Sequence, residues 1–159
     1  MTRTSMIAAI VAGVVGAAWH VGTAAAQMVK FEGVEAVTVA DTPPVSFPRG
    51  VAVSPYAGQG VLWTFDPRHP QNGAIADCSG TFTSGANGDV LGKGACSYTA
   101  RDGSLLWVRW EGDDQGGIWV YDGGTGKFDG VKGNGTYTRA ASGNSVAISH
   151  FVGQYELKK

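Results

Sequence analysis

Few side chains in this 159-residue chain are equipped for chemistry. Beyond residue 26 the histidines are His69 and His150, and the cysteines are Cys78 and Cys96. His150 lies between Ser149 and Phe151, in phase with Ile148 and Val152. Strand alternation makes it a ligand-contacting candidate inside a sheet, together with Trp110. As a general base it needs a positioned partner, and the local sequence supplies none. His69 sits in a proline-flanked turn with Asp66 and Arg68 and reads as a solvated loop residue. Glu111, Asp113 and Asp114 cluster in a glycine turn, but EF-hand spacing is absent, so no metal is expected. There is no Ser-His-Asp order with a glycine elbow. Gly123-Gly124-Thr125-Gly126 has the look of a phosphate cradle, yet turn formers follow it where a nucleotide loop leads into a helix. No cofactor is expected.

The cysteines read as a staple. Between them lies Ser84-Gly85-Ala86-Asn87-Gly88-Asp89, and the midpoint of positions 78 and 96 is residue 87. A hairpin turning at Asn87-Gly88 sets Cys78 opposite Cys96, as a disulfide requires. Two free thiols or a metal pair are the alternatives, but zinc-ligand spacing is missing. An oxidising destination favours the disulfide. Such a destination is written into residues 1–26. Arg3 precedes an apolar run from Met6 to about Trp19, and Ala24-Ala25-Ala26 gives an Ala-x-Ala site with cleavage after Ala26. The expectation is a signal peptide and a periplasmic or secreted protein with no later membrane span. Removing 26 of the 159 residues leaves 133, and losing Arg3 takes the net charge from −1 to −2. A chain so balanced is not a nucleic-acid binder.

The elements that must position these groups are strands. Beyond residue 27 no stretch has helical periodicity, and short β-forming runs recur between glycines. Gly33 to Ala40, Gly60 to Phe65, Asp77 to Ser84, Val90 to Ala100, Ser104 to Glu111, Gly117 to Asp122, Gly135 to Ala140 and Val146 to Leu157 make eight. In the fifth run, Leu106, Val108 and Trp110 share one face and Leu105, Trp107 and Arg109 the other. Trp107 beside Trp119 on an outer face would serve a homo-oligomer. Residues 41–58 hold four of the six prolines and read as a long irregular connection. The 25 glycines have no three-residue period, which excludes collagen, and 43% apolar content excludes simple disorder. The fold class is all-β. A single antiparallel eight-stranded barrel over residues 27–159 is expected, with a β-sandwich as the alternative. Gly133, Gly135 and Gly153 are read as relieving its sharp bends.

Residues 122–137 carry a family signature. Gly123, Gly124, Thr125, Gly126, Phe128 and Gly133 reproduce a Gly-Gly-Thr-Gly-x-Phe-x-x-x-x-Gly pattern. This resembles the allene oxide cyclase and dirigent-like β-barrel proteins, and Gly133-Asn134-Gly135-Thr136-Tyr137 is similar to their bacterial exported members. The resemblance extends more loosely over residues 77–157. It implies a calycin-like, eight-stranded barrel with a mostly apolar cavity. It also implies cofactor-free plant relatives that cyclise a fatty-acid epoxide or steer phenoxy-radical coupling, some as trimers. The matched residues read as structural, with Phe128 a plug, and no catalytic position carries over. The leading expectation is an exported barrel that binds a small apolar or aromatic ligand inside. A cofactor-free isomerase or cyclase is the second reading, which requires a carboxylate, histidine or arginine converging in the interior. A filled structural or interaction module is the third, marked by an exposed patch at Trp107, Trp119 and Tyr121.

Overall fold

The computed structural model describes residues 27–143 and 145–158; the leader read from residues 1–26 lies outside them. The strands are β1 (Gln27–Val39), β2 (Val45–Phe47), β3 (Val51–Thr64), β4 (Ala74–Ser84), β5 (Val90–Thr99), β6 (Leu105–Gly112), β7 (Gly116–Gly124), β8 (Lys132–Gly143) and β9 (Val146–Leu157). Each long strand pairs antiparallel with its successor from β3 to β9, and β1 pairs with both β9 and β3. The sheet therefore closes into an eight-stranded barrel, which excludes the sandwich and leaves no long free edge. β2 is a short flap on the β3 edge.

The expected connection at 41–58 is shorter than its prolines suggest. β3 starts at Val51 and includes Pro55. The Ala57 carbonyl accepts from Ala40 N–H on the β1 side, so Pro55, two residues earlier, turns to that same edge. Neither β1 nor β2 is in register with Pro55 there, so its missing N–H costs no ladder bond.

The glycine excess is explained by the inner wall. One continuous cross-strand row runs Tyr56, Gly80, Gly94, Trp110, Trp119, Gly135, Gly153, Phe31, from β3 round to β1. The Trp110 ring lies over Gly80 and Gly94, and the Trp119 ring over Gly135 and Gly153. The next row repeats the device: Gly92 faces the Phe82 ring and Gly112 the Tyr137 hydroxyl. Gly135 and Gly153 thus seat an indole, beyond any role in bending. Trp119 and Tyr121 point inward and are buried, leaving Trp107, 42% exposed, alone outside, so the expected outer Trp107/Trp119/Tyr121 patch does not exist. Leu106 and Val108 are buried as alternation requires.

The family-like turn closes one end. Thr125 Oγ1 accepts from Leu105 N–H at 3.0 Å, Gly126 has φ 58°, and a side chain there would strike Ser104. Phe128, 1% exposed, is the plug. Cys78 and Cys96 are direct register partners joined by a disulfide, and their half-cystines face the interior.

Substituting Gly135→Ala puts a methyl into the Trp119 ring and the Val152 carbonyl. The expected loss is about 1–3 kcal/mol, read as a lower denaturant midpoint at unchanged m-value. An unchanged midpoint would refute the seat.

Candidate functional site

The two ends of the barrel interior differ in how their polar groups are satisfied. At the plugged end the Gln71 backbone N–H donates to His69 Nδ1 at 3.2 Å, and His69 Nε2 lies 3.0 Å from the Tyr155 hydroxyl. With Nδ1 accepting, the neutral ring carries its proton on Nε2 and donates it to Tyr155. Gln71 Nε2 donates to the Tyr121 hydroxyl at 2.6 Å. Burial lowers the His69 pKa to about 4, so this ring is neutral at pH 7. The solvated-loop reading of His69 is therefore corrected: the 66–73 turn folds its ring back against Phe31 and Tyr155.

At the other end is a cavity lined by Glu35, Tyr56, Tyr98, Trp110, Tyr137 and Arg139, with Phe82, Ser149, Phe151 and the disulfide completing the wall. It is a narrow cavity of about 40 Å³, open at its mouth. Its aromatic side is tightly built: Tyr56, Phe82 and Trp110 have ring centroids 5.5–5.8 Å apart. Four buried side-chain atoms lack a hydrogen-bond partner among the described residues: Glu35 Oε1, Trp110 Nε1, Tyr137 Oη and Arg139 Nε. All four belong to residues lining this one cavity. Trp119 offers the contrast, since its Nε1 donates to the Thr136 carbonyl at 3.1 Å.

Register explains the cluster. Ser149 of β9 is opposite Glu35 of β1 on one side and Arg139 of β8 on the other, and all three line the cavity. The ladder shifts just after Arg139, where Ala140 is the extra residue of a bulge, a feature that re-aims side chains. Glu35 is 5% exposed. Burial raises its carboxyl to about 7, while the Tyr98 hydroxyl beside it pulls the other way. Burial and the Glu35 charge push Tyr56 up to about 12 and Tyr98 well above its usual range. A carboxyl poised near neutrality, an arginine and three phenols can donate to, accept from or protonate a ligand oxygen.

Of the residues singled out by sequence, Trp110 lines this cavity and His150 does not. His150 is on the outer wall, stacked on Phe65 with its Nε2 3.1 Å from Glu32 Oε1. β9 presents Ser149 and Phe151 inward, so the residue between them faces out. Glu35 and Arg139 were missed. Their signal was phase: Glu35 alternates with Phe31 and Val37, and Arg139 with Tyr137. Among the described residues no acidic, histidine or cysteine group forms a metal-binding cluster. Asp113 instead accepts from the Gln115 and Gly116 N–H groups of its own turn.

Glu35 and His69 impose opposite pH dependences on stability. Glu35 is raised from 4.5 to about 7, so its contribution is complete below pH 4.5 and is lost as pH rises through 7. The swing is about 3 kcal/mol. His69 is depressed from 6.5 to about 4, so stability falls as pH drops from 6.5 through 4. In the wild type the two largely cancel across this window. In Glu35→Gln, stability should rise with pH between about 4 and 6.5, and in His69→Asn it should fall between about 4.5 and 7. Urea melts at several pH values test this, and parallel profiles for the two variants would refute it.

No protein-family model and no curated protein sequence matches the chain. Solved structures do. The pterocarpan synthase dirigent protein PsPTS1 superposes with TM-score 0.56 at 15% identity, covering 84% of this chain and 97% of that one. A second pterocarpan synthase dirigent protein, GePTS1, gives TM-score 0.54 at 15% identity, covering 84% and 87%. What the chain shares with these proteins is the dirigent-like eight-stranded barrel.

Proposed function

We propose that this barrel binds a small aromatic ligand bearing oxygen groups in the cavity around Glu35. One observation carries the reading: the buried polar atoms without partners all belong to residues that line a single aromatic-walled cavity. Buried donors and acceptors are almost always satisfied, and a group of four at one place calls for polar atoms from outside the chain. The rings of Tyr56, Phe82, Trp110 and Phe151 match a flat apolar body, and Glu35, Tyr137, Arg139 and the Trp110 indole match its polar substituents. The space is narrow, so this reading requires Phe82, half-buried on that wall, to move aside for the ring. The dirigent-like neighbours, described as pterocarpan synthases, share this barrel, which is consistent with a ligand held inside it.

A second reading is favoured by the Glu35 carboxyl at about 7: a cofactor-free isomerase or cyclase in which Glu35 moves a proton. Efficient general acid–base groups titrate near the working pH, and the cavity holds the carboxylate and arginine that such an enzyme needs.

We also propose export, with residues 1–26 removed. Gln27 pairs with Leu157, so the chain from Gln27 onward belongs to the barrel, as a mature chain starting there requires. Intact mass of the exported protein should correspond to residues 27–159 less two hydrogens for the disulfide. A leader retained, or two free thiols, would overturn this.

Calorimetric titration with single-ring phenols and aryl alcohols tests the binding reading. Saturable one-to-one binding is expected, weakened about tenfold in Tyr137→Phe if one hydrogen bond to the ligand is lost. Absence of binding by the whole panel would sink it. The enzymatic reading requires turnover that Glu35→Gln abolishes while ligand affinity stays within a few-fold.

A further inference from the structure

Within that reading, the polar row Glu35–Ser149–Arg139 has a chemical preference of its own. Arg139 brings a permanent cation to the wall, and no carboxylate is paired with it among the described residues. Glu35 is two strands away across Ser149, about 10 Å at the backbone. Two long side chains reaching inward from that spacing leave a gap that one ligand group can bridge. Glu35 Oε1 and Arg139 Nε are both buried without partners, so neither satisfies the other. An anionic group of two oxygens meets both needs: one oxygen accepts from the guanidinium, the other from the acid form of Glu35. A neutral hydroxyl can serve only one of them well.

We propose that the cavity selects an aromatic monoanion, a carboxylate on a single ring, held between Arg139 and the protonated Glu35, and that it takes up a proton with its ligand at alkaline pH. The proposal rests on the binding reading above and specifies its ligand class. The groups facing Glu35 are Tyr98 from β5, Tyr56 from β3, and Tyr137 and Arg139 from β8. The phenols are neutral well beyond pH 7, since burial raises all three, and Asp113 adds to the rise at Tyr137. Glu35 is thus the one group of this set that changes charge near neutrality. When it ionises, its negative charge opposes an incoming anion, and binding must return the proton.

The probes are benzoate and its neutral isostere benzamide, titrated calorimetrically into the disulfide-intact protein. At about pH 6 benzoate should bind at least tenfold tighter than benzamide. Above about pH 7 its affinity should fall by about tenfold per pH unit, with proton uptake approaching one per ligand. Uptake is read from the heat difference between two buffers of unlike ionisation enthalpy. Benzamide should show neither effect. Glu35→Gln should keep benzoate binding while losing its pH slope and proton uptake, and Arg139→Met should remove the preference for benzoate. Should Arg139→Met fail to fold, the pH slope and proton count of the unmodified protein still decide. Benzamide binding as tightly as benzoate, or benzoate binding without proton uptake above pH 7, overturns the proposal and leaves aromatic binding standing. Failure of both probes and of the phenol panel removes the two readings together.

Discussion

The inside of a small barrel has too little circumference for eight full side chains at one level. That constraint shapes everything else here. In the row Tyr56, Gly80, Gly94, Trp110, Trp119, Gly135, Gly153, Phe31, pairs of glycines separate Tyr56 from Trp110 and Trp119 from Phe31. Each indole packs against two glycines, and a Cβ at either would overlap it. The wall is close-packed without being uniformly filled, and each ring has one place to go. A chain of average glycine content could not line this sheet with tryptophan.

The same constraint separates the two ends chemically. At the plugged end the 66–73 turn brings in its own polar partners, so His69, Tyr155, Gln71 and Tyr121 satisfy one another. At the open end the polar row Glu35–Ser149–Arg139 lies two residues along the strands from Tyr137 and Phe151. Phe82 and Tyr137 occupy one register row with Gly92 and Gly112 below the mouth. Burial takes Glu35 out of water, which is why its carboxyl holds its proton to near neutrality.

Much of this was legible in the residues and some was not. Alternation places Leu106, Val108 and Trp110 on one face because a strand's side chains switch sides at every residue, and this survives any topology. The cysteine register was legible because Asn87 lies midway between Cys78 and Cys96. β3 was truncated by the reading of Pro55, since a proline's tolerance depends on which edge of the strand is unpaired, a fact of closure. His150 was assigned inward because its apolar neighbours were taken as its face, when Ser149 and Phe151 set the parity. His69 was illegible in principle: its partners Phe31 and Tyr155 are 38 and 86 residues away in the chain. Glu35 was legible and overlooked, because a charged residue in phase with buried ones was read as strand pattern alone.

The persistence of Glu35 in such a place is the strongest functional argument the fold offers. A buried carboxyl costs desolvation that one tyrosine hydroxyl only partly offsets, and an apolar residue of similar volume would not incur that cost. Arg139, Tyr137 and Trp110 repeat the pattern, each with a buried polar atom unsatisfied among the described residues. Local rules of a stable core are broken four times in one cavity and kept at the opposite end of the same barrel. Scattered exceptions would mean tolerance. Exceptions gathered in residues around one cavity favour the proposal that polar atoms from outside the chain complete them.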